Sequence, residues 1–376
     1  GFPTTKDEDW KYTSLKKIIS NEYLIESKGD VIDNLVIEMY SLGIKNRIVF
    51  SDGELISAPI IQGVKINGFS EFKNKSSDSI LKLNKAISQN GFTISVDKNT
   101  VLKNPIEILF FSTTENSFSQ YRNQISIGEN SEVKFIERLQ NVKNSSSFIN
   151  HFTQINCCKN TKVEYNKIQN NTDDSQLIDT VNVYQEKDST CNINTLIFGG
   201  SFTRNNLNFE QNGSNCESNM NGISVLNKNQ LADNHTFVDH KSAYCRSNEM
   251  YKGVYLDHSK GVFNGKIMVR PNAQKIDAFQ SNNNLLLSDT SSIDSKPQLE
   301  IYADDVKCSH GCTIGQLDGG ALFYMRSRGV GIKEAKALLT YAFASEAIEN
   351  ISVEQVKILA KNLLAQKLDV DLDFSL

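Results

Sequence analysis

From about residue 92 to 303 the chain reads as short β-rich runs: NPIEILFFST, NQISIG, EVKFIERL, FTQINCC, KVEYNKI, DTVNVYQ, NINTLIFGG, GVFNGKIMV and PQLEIYA. Asn, Gly, Asp and Ser divide them, and no long helical pattern interrupts them, so strands and tight polar turns are predicted. The tail changes period. LDGGALFYMRSRG predicts a helix stopped by Gly329 as its C′ residue. In the next segment Ala335, Leu338, Leu339, Ala342 and Phe343 form one apolar stripe at helical spacing. SVEQ (352–355) predicts a capping box for a last helix carrying Val356, Leu359, Leu363 and Leu364. At the start, DEDWKYTSLKKIIS places Trp10, Leu15, Ile18 and Ile19 on roughly one helical face. The lone Trp10 is read as the anchor that packs this terminal helix onto the rest. The polar stretch KNKSSDS (73–79) precedes a short helical segment, with Gly91 read as its stop.

Four turns share one form: ENSEV, KNTKV, KDSTC and NGSNC. Their last residues, Val133, Val163, Cys191 and Cys216, are 30, 28 and 25 residues apart, whereas later turns such as DHSKG (257–261) are less regular. A rung of this size cannot bury its own inner face, so the repeat predicts stacked rungs, a β-helix or other solenoid with capped ends. A large β-sandwich is the rival, and the recurring turn favours the solenoid. Three regions follow: 1–91, mixed and mostly helical; 92–315, the β core; 316–376, helical.

Composition narrows the function. With 376 residues, 22% charged, and a net charge of −4, there is no electrostatic reason to expect a nucleic acid or an anionic membrane as partner. No run reaches the length of a membrane span, and the opening GFPTTKDEDWKYT lacks the apolar core of a signal peptide. Seven cysteines, an odd number, point to a reducing cytoplasm rather than a disulfide framework.

The candidate chemistry lies in DDVKCSHGC (304–312). If the strand continues extended, Cys308, His310 and Cys312 share one face, with neighbours about 6.6 Å apart and the outer pair roughly 13 Å apart. Zinc–sulfur bonds are only about 2.3 Å long, so one ion cannot hold both sulfurs unless Gly311 bends the chain. Otherwise the strand supplies part of a ligand set and another surface supplies the rest. A Cys–His hydrolase is a second reading, but its signature motifs are absent. The third is structural: buried cysteines beside an ordinary histidine. Cys157 and Cys158 lie on opposite strand faces and read as core filling. His151, His235, His240 and His258 read as turn or surface histidines. GxxxxGK[ST] is missing, so the chain should not hydrolyse ATP alone. A β-helix polysaccharide lyase would carry a carboxylate column, and none is visible.

The segment PQLEIYADDVKCSHGCTIGQLDGGALFYMRSRGV strongly resembles the C-terminal core of the SufB/SufD family of iron–sulfur cluster assembly scaffolds. GVFNGKIMVRPNAQKIDAFQSNNNLLLS and NHTFVDHKSAYCRSNEMYKGVY resemble the preceding rungs, so the most specific motifs lie between about 234 and 330. DEDWKYT and NPIEILFF are similar to the SufD branch. So are Asn282, Asn283 and Asn284, where SufB-like chains carry a cysteine, and His310-Gly311-Cys312, where they read His-Glu-Ala. Cys312 stands where the family commonly has alanine, and Gly319-Gly320 replace an acidic pair. The resemblance implies a right-handed parallel β-helix with terminal helical regions and a non-enzymatic scaffold. It implies a SufB-like paralogue as partner, and a SufC-like ABC-type ATPase docked on the C-terminal helices through Leu322, Phe323, Tyr324, Arg326, Leu338, Leu339 and Phe343. His310, with Cys308 as a second ligand, would then meet a transient iron–sulfur cluster at the SufB-like interface. No metal is expected to stay on the isolated chain; a structural homodimer that pairs by the same surface and carries no chemistry is a remaining alternative.

Overall fold

Asparagine and aspartate set the corners of the chain. In the computed structural model, which describes residues 1–25, 31–72, 78–88, 90–142 and 146–370, positive φ recurs at Asn99, Asn130, Asn160, Asp188, Asn215, Tyr244 and Lys275. The first five are residue types that tolerate the left-handed region. Their side chains also stack: Asn130 donates to Asn99 at 3.0 Å, Asn160 to Asn130 at 2.9 Å and Asn215 to Asp188 at 2.8 Å. The recurring turn of the sequence is this corner.

Between corners the chain runs as strands. They are β1 (Asn46–Ser51), β2 (Glu54–Ser57), β3 (Val64–Gly68), β4 (Phe92–Val96), β5 (Ile106–Ser112), β6 (Ser117–Ile127) and β7 (Glu132–Asn141). Then come β8 (Ser147–Cys157), β9 (Lys162–Gln169), β10 (Ser175–Gln185), β11 (Thr190–Ile197), β12 (Phe202–Gln211) and β13 (Glu217–Leu226). The last six are β14 (Leu231–His240), β15 (Arg246–Tyr255), β16 (Lys260–Val269), β17 (Ile276–Leu286), β18 (Ser292–Ile301) and β19 (Val306–Gly315). From β4 onward they alternate between two sheets. One runs β19-β17-β15-β13-β11-β9-β7-β5-β1-β2, the other β18-β16-β14-β12-β10-β8-β6-β4-β3. Pairing is parallel except for β1–β2 and β3–β4 at the N-terminal end. The result is a parallel β-solenoid of about eight turns with helices at the termini, and it removes the sandwich alternative.

Register refines the repeat. Val133 pairs with Val163 and Val163 with Cys191, but Cys191 pairs with Ser218. Cys216 falls two residues earlier, in the corner, with its thiol 3.1 Å from the Gly213 and Glu186 carbonyls. The 25-residue step was therefore a slipped alignment. The strands β12 to β15 and β17 lie outside the runs singled out by sequence. Their Asn-rich composition has weak strand propensity, which amide ladders such as Asn208 to Asn182 (2.9 Å) and Asn219 to Asn192 (2.8 Å) offset.

The N-terminal region differs from its reading. β1, β2 and β3 lie inside the segment expected to be mostly helical, and β1 pairs in parallel with β5. DEDWKYTSLKKIIS forms a 3₁₀ turn at Glu8–Trp10 and a single α turn, α1 (Lys16–Ile19), instead of one helix. Trp10, Leu15 and Ile18 are buried together against Phe148, Ile178 and Phe202, whereas Ile19 is exposed. The Trp10 ring lies 3.8 Å from the Arg204 guanidinium. It anchors the segment to the solenoid, as read. Next come α2 (Asn34–Tyr40) and α3 (Ser79–Ile87), the latter capped by Asp78 accepting from Leu81 N at 2.9 Å. Most of KNKSSDS (73–77) lies outside the described residues.

Gly91 is not the stop of α3, which ends at Ile87. It has φ +144°, and a Cβ there would sit 2.1 Å from the Arg122 carbonyl oxygen. Gly91→Val is expected to lower stability by roughly 1–3 kcal/mol, read as a shifted urea midpoint; an unchanged midpoint would remove this account of the glycine.

The tail forms α4 (Gly319–Ser327), α5 (Ile332–Glu349) and α6 (Glu354–Lys367). Gly329, at φ +88°, follows α4 as the expected C′ residue. Asp318 caps α4 by accepting from Gly320 N at 2.9 Å. Ser352 does not form the expected capping box: its backbone N donates to Glu164 Oε1 at 3.1 Å, and its hydroxyl bonds the same carboxylate. Val353 takes the N-cap position of α6 and supplies no side-chain cap.

Candidate functional site

The candidate site is the open end of the solenoid. β19 is the last strand of its sheet, and its register with β17 pairs Ala278 with Cys308, Gln280 with His310 and Asn282 with Cys312. Ala278, Gln280 and Asn282 are all nearly fully buried, because their faces point into the lumen and a further rung covers them. Parallel in-register strands keep side chains on the same face, so Cys308, His310 and Cys312 face the same way. No rung follows β19, and that face is open: His310 and Cys312 are exposed, Cys308 half-buried. Burial pushes the Cys308 thiol up, and the Asp277 carboxylate adds to this. It is therefore a thiol, not a thiolate, in this chain. Asp305 pairs with Lys275 and Asp304 is exposed, so neither carboxylate joins the site. Phe279, Ile301, Tyr302 and Ile314 are exposed on the same last rungs.

Behind His310 runs a polar column that the sequence reading missed. Glu249 pairs with Gln280, which pairs with His310. The Glu249 carboxylate accepts from the Thr236 hydroxyl at 2.6 Å and from Gln280 Nε2 at 3.0 Å through its Oε2. Burial pushes Glu249 up to about 7. The column became visible only with the register, since its members are some 30 residues apart in the chain.

Deeper in the lumen, Glu137, His151 and Asp179 bring one ligand atom each within 4.8 Å of one another. Lys167 Nζ already stands 2.5 Å from Asp179 Oδ2, in the place a cation would take. Burial alone would raise Asp179, but Lys167 and His151 hold it at about 2. Asn123 Oδ1 accepts from Phe92 N, so its Nδ2 donates to His151 Nε2 at 2.8 Å. His151 Nδ1 lies 3.2 Å from Asp179 Oδ1; burial works against a charge on the ring, but Glu137 and Asp179 raise it above the usual histidine value. Burial raises Glu137, whose Oε2 lies 2.6 Å from the Tyr165 hydroxyl. The cluster is electrically closed by side chains of this chain.

The histidines correct the sequence reading. His151 and His240 are fully buried in strands, not turn residues, and burial lowers His240 to about 4. His235 pairs with Asp233 at 2.9 Å, and His258 is exposed in a turn. Cys157 is buried and Cys158 partly so.

In the tail, Phe323, Tyr324 and Arg326 are exposed on α4 while Leu322 is partly covered. The buried face of α5 is made of Ala335, Ala337, Thr340, Ala344, Ala347 and Ile348. Of the apolar stripe, Leu338 and Ala342 are exposed and Leu339 is half-buried. Phe343 packs over Lys252, whose Nζ lies 4.5 Å from its ring and donates to its carbonyl at 2.8 Å. The helix thus lies on β13 and β15 through small residues, leaving Leu338 outward. Among the described residues no helix is long and apolar enough to cross a membrane.

The chain is a parallel β-solenoid with a Cys/His-bearing last strand and a helical tail, and the comparisons give it a family. Residues 110–343, more than half of the chain, match the model for the SUF system FeS cluster assembly, SufBD core domain. The iron–sulfur cluster assembly protein SufD of Escherichia coli is 29% identical over 95% of this chain and 87% of its own length. An iron–sulfur cluster assembly SufBD family protein of Synechocystis is 27% identical over 95% and 85%. The iron–sulfur cluster assembly protein SufD of Bacillus subtilis is 23% identical over 73% and 63%. The chain belongs to the SufBD family of iron–sulfur cluster assembly proteins and is SufD-like.

Proposed function

We propose that this chain is one half of a two-chain cluster scaffold, completed at its open end by a SufB-like paralogue. The observation that carries the reading is the uncovered inward face of β19, with His310 and Cys312 exposed and Cys308 half-buried beneath no further rung. A strand spacing of about 6.6 Å between its neighbours keeps these three from closing on one ion. An iron–sulfur cluster, as cargo, would take His310 and, second, Cys308, with the remaining ligands from the partner. Neutral imidazole is a competent iron ligand and thiolate the usual one. An unpaired strand edge beside exposed Phe279, Ile301, Tyr302 and Ile314 is a surface that proteins cover.

In this reading the chain catalyses nothing itself and works in the cytoplasm. A SufC-like ABC-type ATPase docks on the tail, and its ATP cycle moves the helices against β13 and β15 and so opens or closes the shared site. The exposed Phe323 and Tyr324 with Arg326 and Leu338 form the docking face, and Leu322, Leu339 and Phe343 support it from below. Replacing both Phe323 and Tyr324 by aspartate is expected to weaken ATPase capture roughly 30-fold, as losing one interface hot spot does, with thermal unfolding unchanged. Undiminished capture would move the docking face elsewhere.

The test of the whole reading is co-purification with SufB-like and SufC-like subunits, followed by anaerobic iron and sulfide analysis of the chain alone and of the complex. Iron and sulfide only in the complex support the shared site. Stoichiometric metal on the isolated chain would instead favour a metal-dependent or Cys–His enzyme. Neither metal nor partner capture, with self-association through the open end, would leave a structural homodimer.

A further inference from the structure

We infer that Gln280 is a positioning residue for His310: its unpartnered side-chain carbonyl is placed to take the N–H of one ring nitrogen once the ring turns inward, which leaves the other nitrogen's lone pair facing out of the lumen. Glu249 sets this orientation from one rung further in. The inference rests on the reading of His310 as a ligand only for its consequence, not for its geometry.

Gln280 is an amide with two unlike ends. Gln280 is 2% exposed and faces the lumen one rung below His310. Its Nε2 donates to Glu249 Oε2 at 3.0 Å. That carboxylate cannot donate in return once ionised, so it fixes which end of the amide faces inward. The carbonyl end, Oε1, is buried and has no hydrogen-bond partner among the described residues. A buried acceptor without a donor is costly, and this one lies beside the rung that carries His310. Adjacent strands of a sheet are about 4.8 Å apart, within the reach of an in-register side-chain ladder.

The same sheet already builds such ladders with this polarity. Under the C-terminal helices Asn221 donates to Asn194 at 3.0 Å, and Asn194 to Asn166 at 2.7 Å. Each amide points its nitrogen back to the preceding rung and its oxygen on to the next. Gln280 repeats the pattern with Glu249 behind it, so the next member must be a donor. At that register position stands His310, whose neutral ring has one N–H to give. The room for this arrangement is reserved from the opposite sheet. Gly265 faces the Gln280 amide, and a Cβ there would come within 2.2 Å of Nε2. Any larger residue would push the amide out of place. A metal-binding histidine ordinarily gives its second N–H to a carbonyl or carboxylate, which fixes its tautomer. Gln280 is the residue placed to do so here.

The test uses the full chain, without iron, labelled with ¹⁵N-histidine. Long-range ¹H–¹⁵N spectra at about pH 8, above the value of about 7 to which burial pushes Glu249, report the tautomer of each ring. With only five histidines in the chain, the His310 signals are identified by their loss in His310→Ala. The expected result is one tautomer at His310 in the wild type and two in exchange in Gln280→Leu. In Gln280→Glu, which keeps an acceptor at the same place, one tautomer is expected to persist. Gln280→Met serves if the leucine variant does not fold. A wild-type His310 that already shows both tautomers, or a single tautomer unchanged in Gln280→Leu and Gln280→Met, overturns the inference. Failure of this test is distinct from failure of the scaffold reading, which is judged by iron and sulfide in the complex.

Discussion

Lys167→Met is expected to destabilise the solenoid by about 3–5 kcal/mol at neutral pH, the scale on which breaking one side of a buried ion pair acts. Lys167 is 2% exposed and Asp179 fully buried, and their charged atoms are 2.5 Å apart. Methionine fills the space of the stem but leaves Asp179 as an uncompensated carboxylate, with only His151 Nδ1–H and Gln169 Nε2–H to hold it. In the wild type the Asp179 carboxyl lies at about 2, below its ordinary value of 3.8. Its stabilisation is therefore complete above 3.8 and is lost as pH falls toward 2. In the variant burial is no longer opposed by Lys167, so the folded-state value rises above 3.8 and the folded chain gains a proton that the unfolded chain lacks. Acidification then relieves the variant. The gap between wild type and variant should narrow from pH 7 toward about pH 4. Pairing Lys167→Met with Asp179→Leu should restore most of the loss, because an apolar pair of similar volume replaces both charges. Urea midpoints of the first unfolding transition at the two pH values measure all three. A gap that widens on acidification would mean that Lys167 and Asp179 do not act as the pair described.

This interior also shows where sequence reading stops. The corners were legible because a left-handed turn restricts residue type: Asn130, Asn160 and Asp188 announce themselves locally. The tail was legible by period, and the Cys308–His310–Cys312 face by strand alternation. What failed were features that depend on a neighbouring rung. A solenoid lumen can bury Glu137, Lys167, His151 and Asp179 because stacked rungs neutralise one another, yet each reads locally as a surface residue. The same holds for Glu249 and Gln280, which meet only through the register of β15 with β17. Cys216 was misplaced by two residues because the left-handed corner residue equivalent to Asn160 and Asp188 is Asn215, so the matching turn ends at Ser218 rather than at Cys216. Ser352 satisfied a helix-capping pattern but spends its hydroxyl on Glu164, a long-range partner that local spacing cannot reveal. Likewise the apolar stripe of α5 meets its buried face only at Ala335 and partly at Phe343, because Ala335, Ala337, Ala344 and Ala347 let the helix approach the sheet more closely than leucines would.

His310→Ala is expected to leave folding and partner assembly intact while lowering iron and sulfide in the complex by more than about tenfold, the range over which even supporting residues of a metal site act. The reason for intact folding is position. His310 is exposed on the last rung, and truncation there opens no cavity in the lumen. The strand hydrogen bonds of β19 to β17 do not depend on its side chain. The reason for the large effect is that β19 offers few alternatives. Cys312 shares the face but is about 6.6 Å further along an extended strand, and Cys308 is a half-buried thiol that burial keeps protonated. A protonated thiol must give up its proton to become a ligand, whereas a neutral imidazole already offers a lone pair. Cys308→Ala should therefore cause a smaller loss than His310→Ala, and the ratio between the two should change with pH. As pH rises the thiol ionises more readily, so the cost of removing Cys308 should grow. Cys312→Ala should leave cluster content near that of the wild type. Anaerobic iron and sulfide analysis of the purified complexes, with thermal unfolding of each variant chain as the folding control, separates these outcomes. Wild-type cluster content in His310→Ala would take this residue out of the mechanism and place the cluster's ligands on the partner alone.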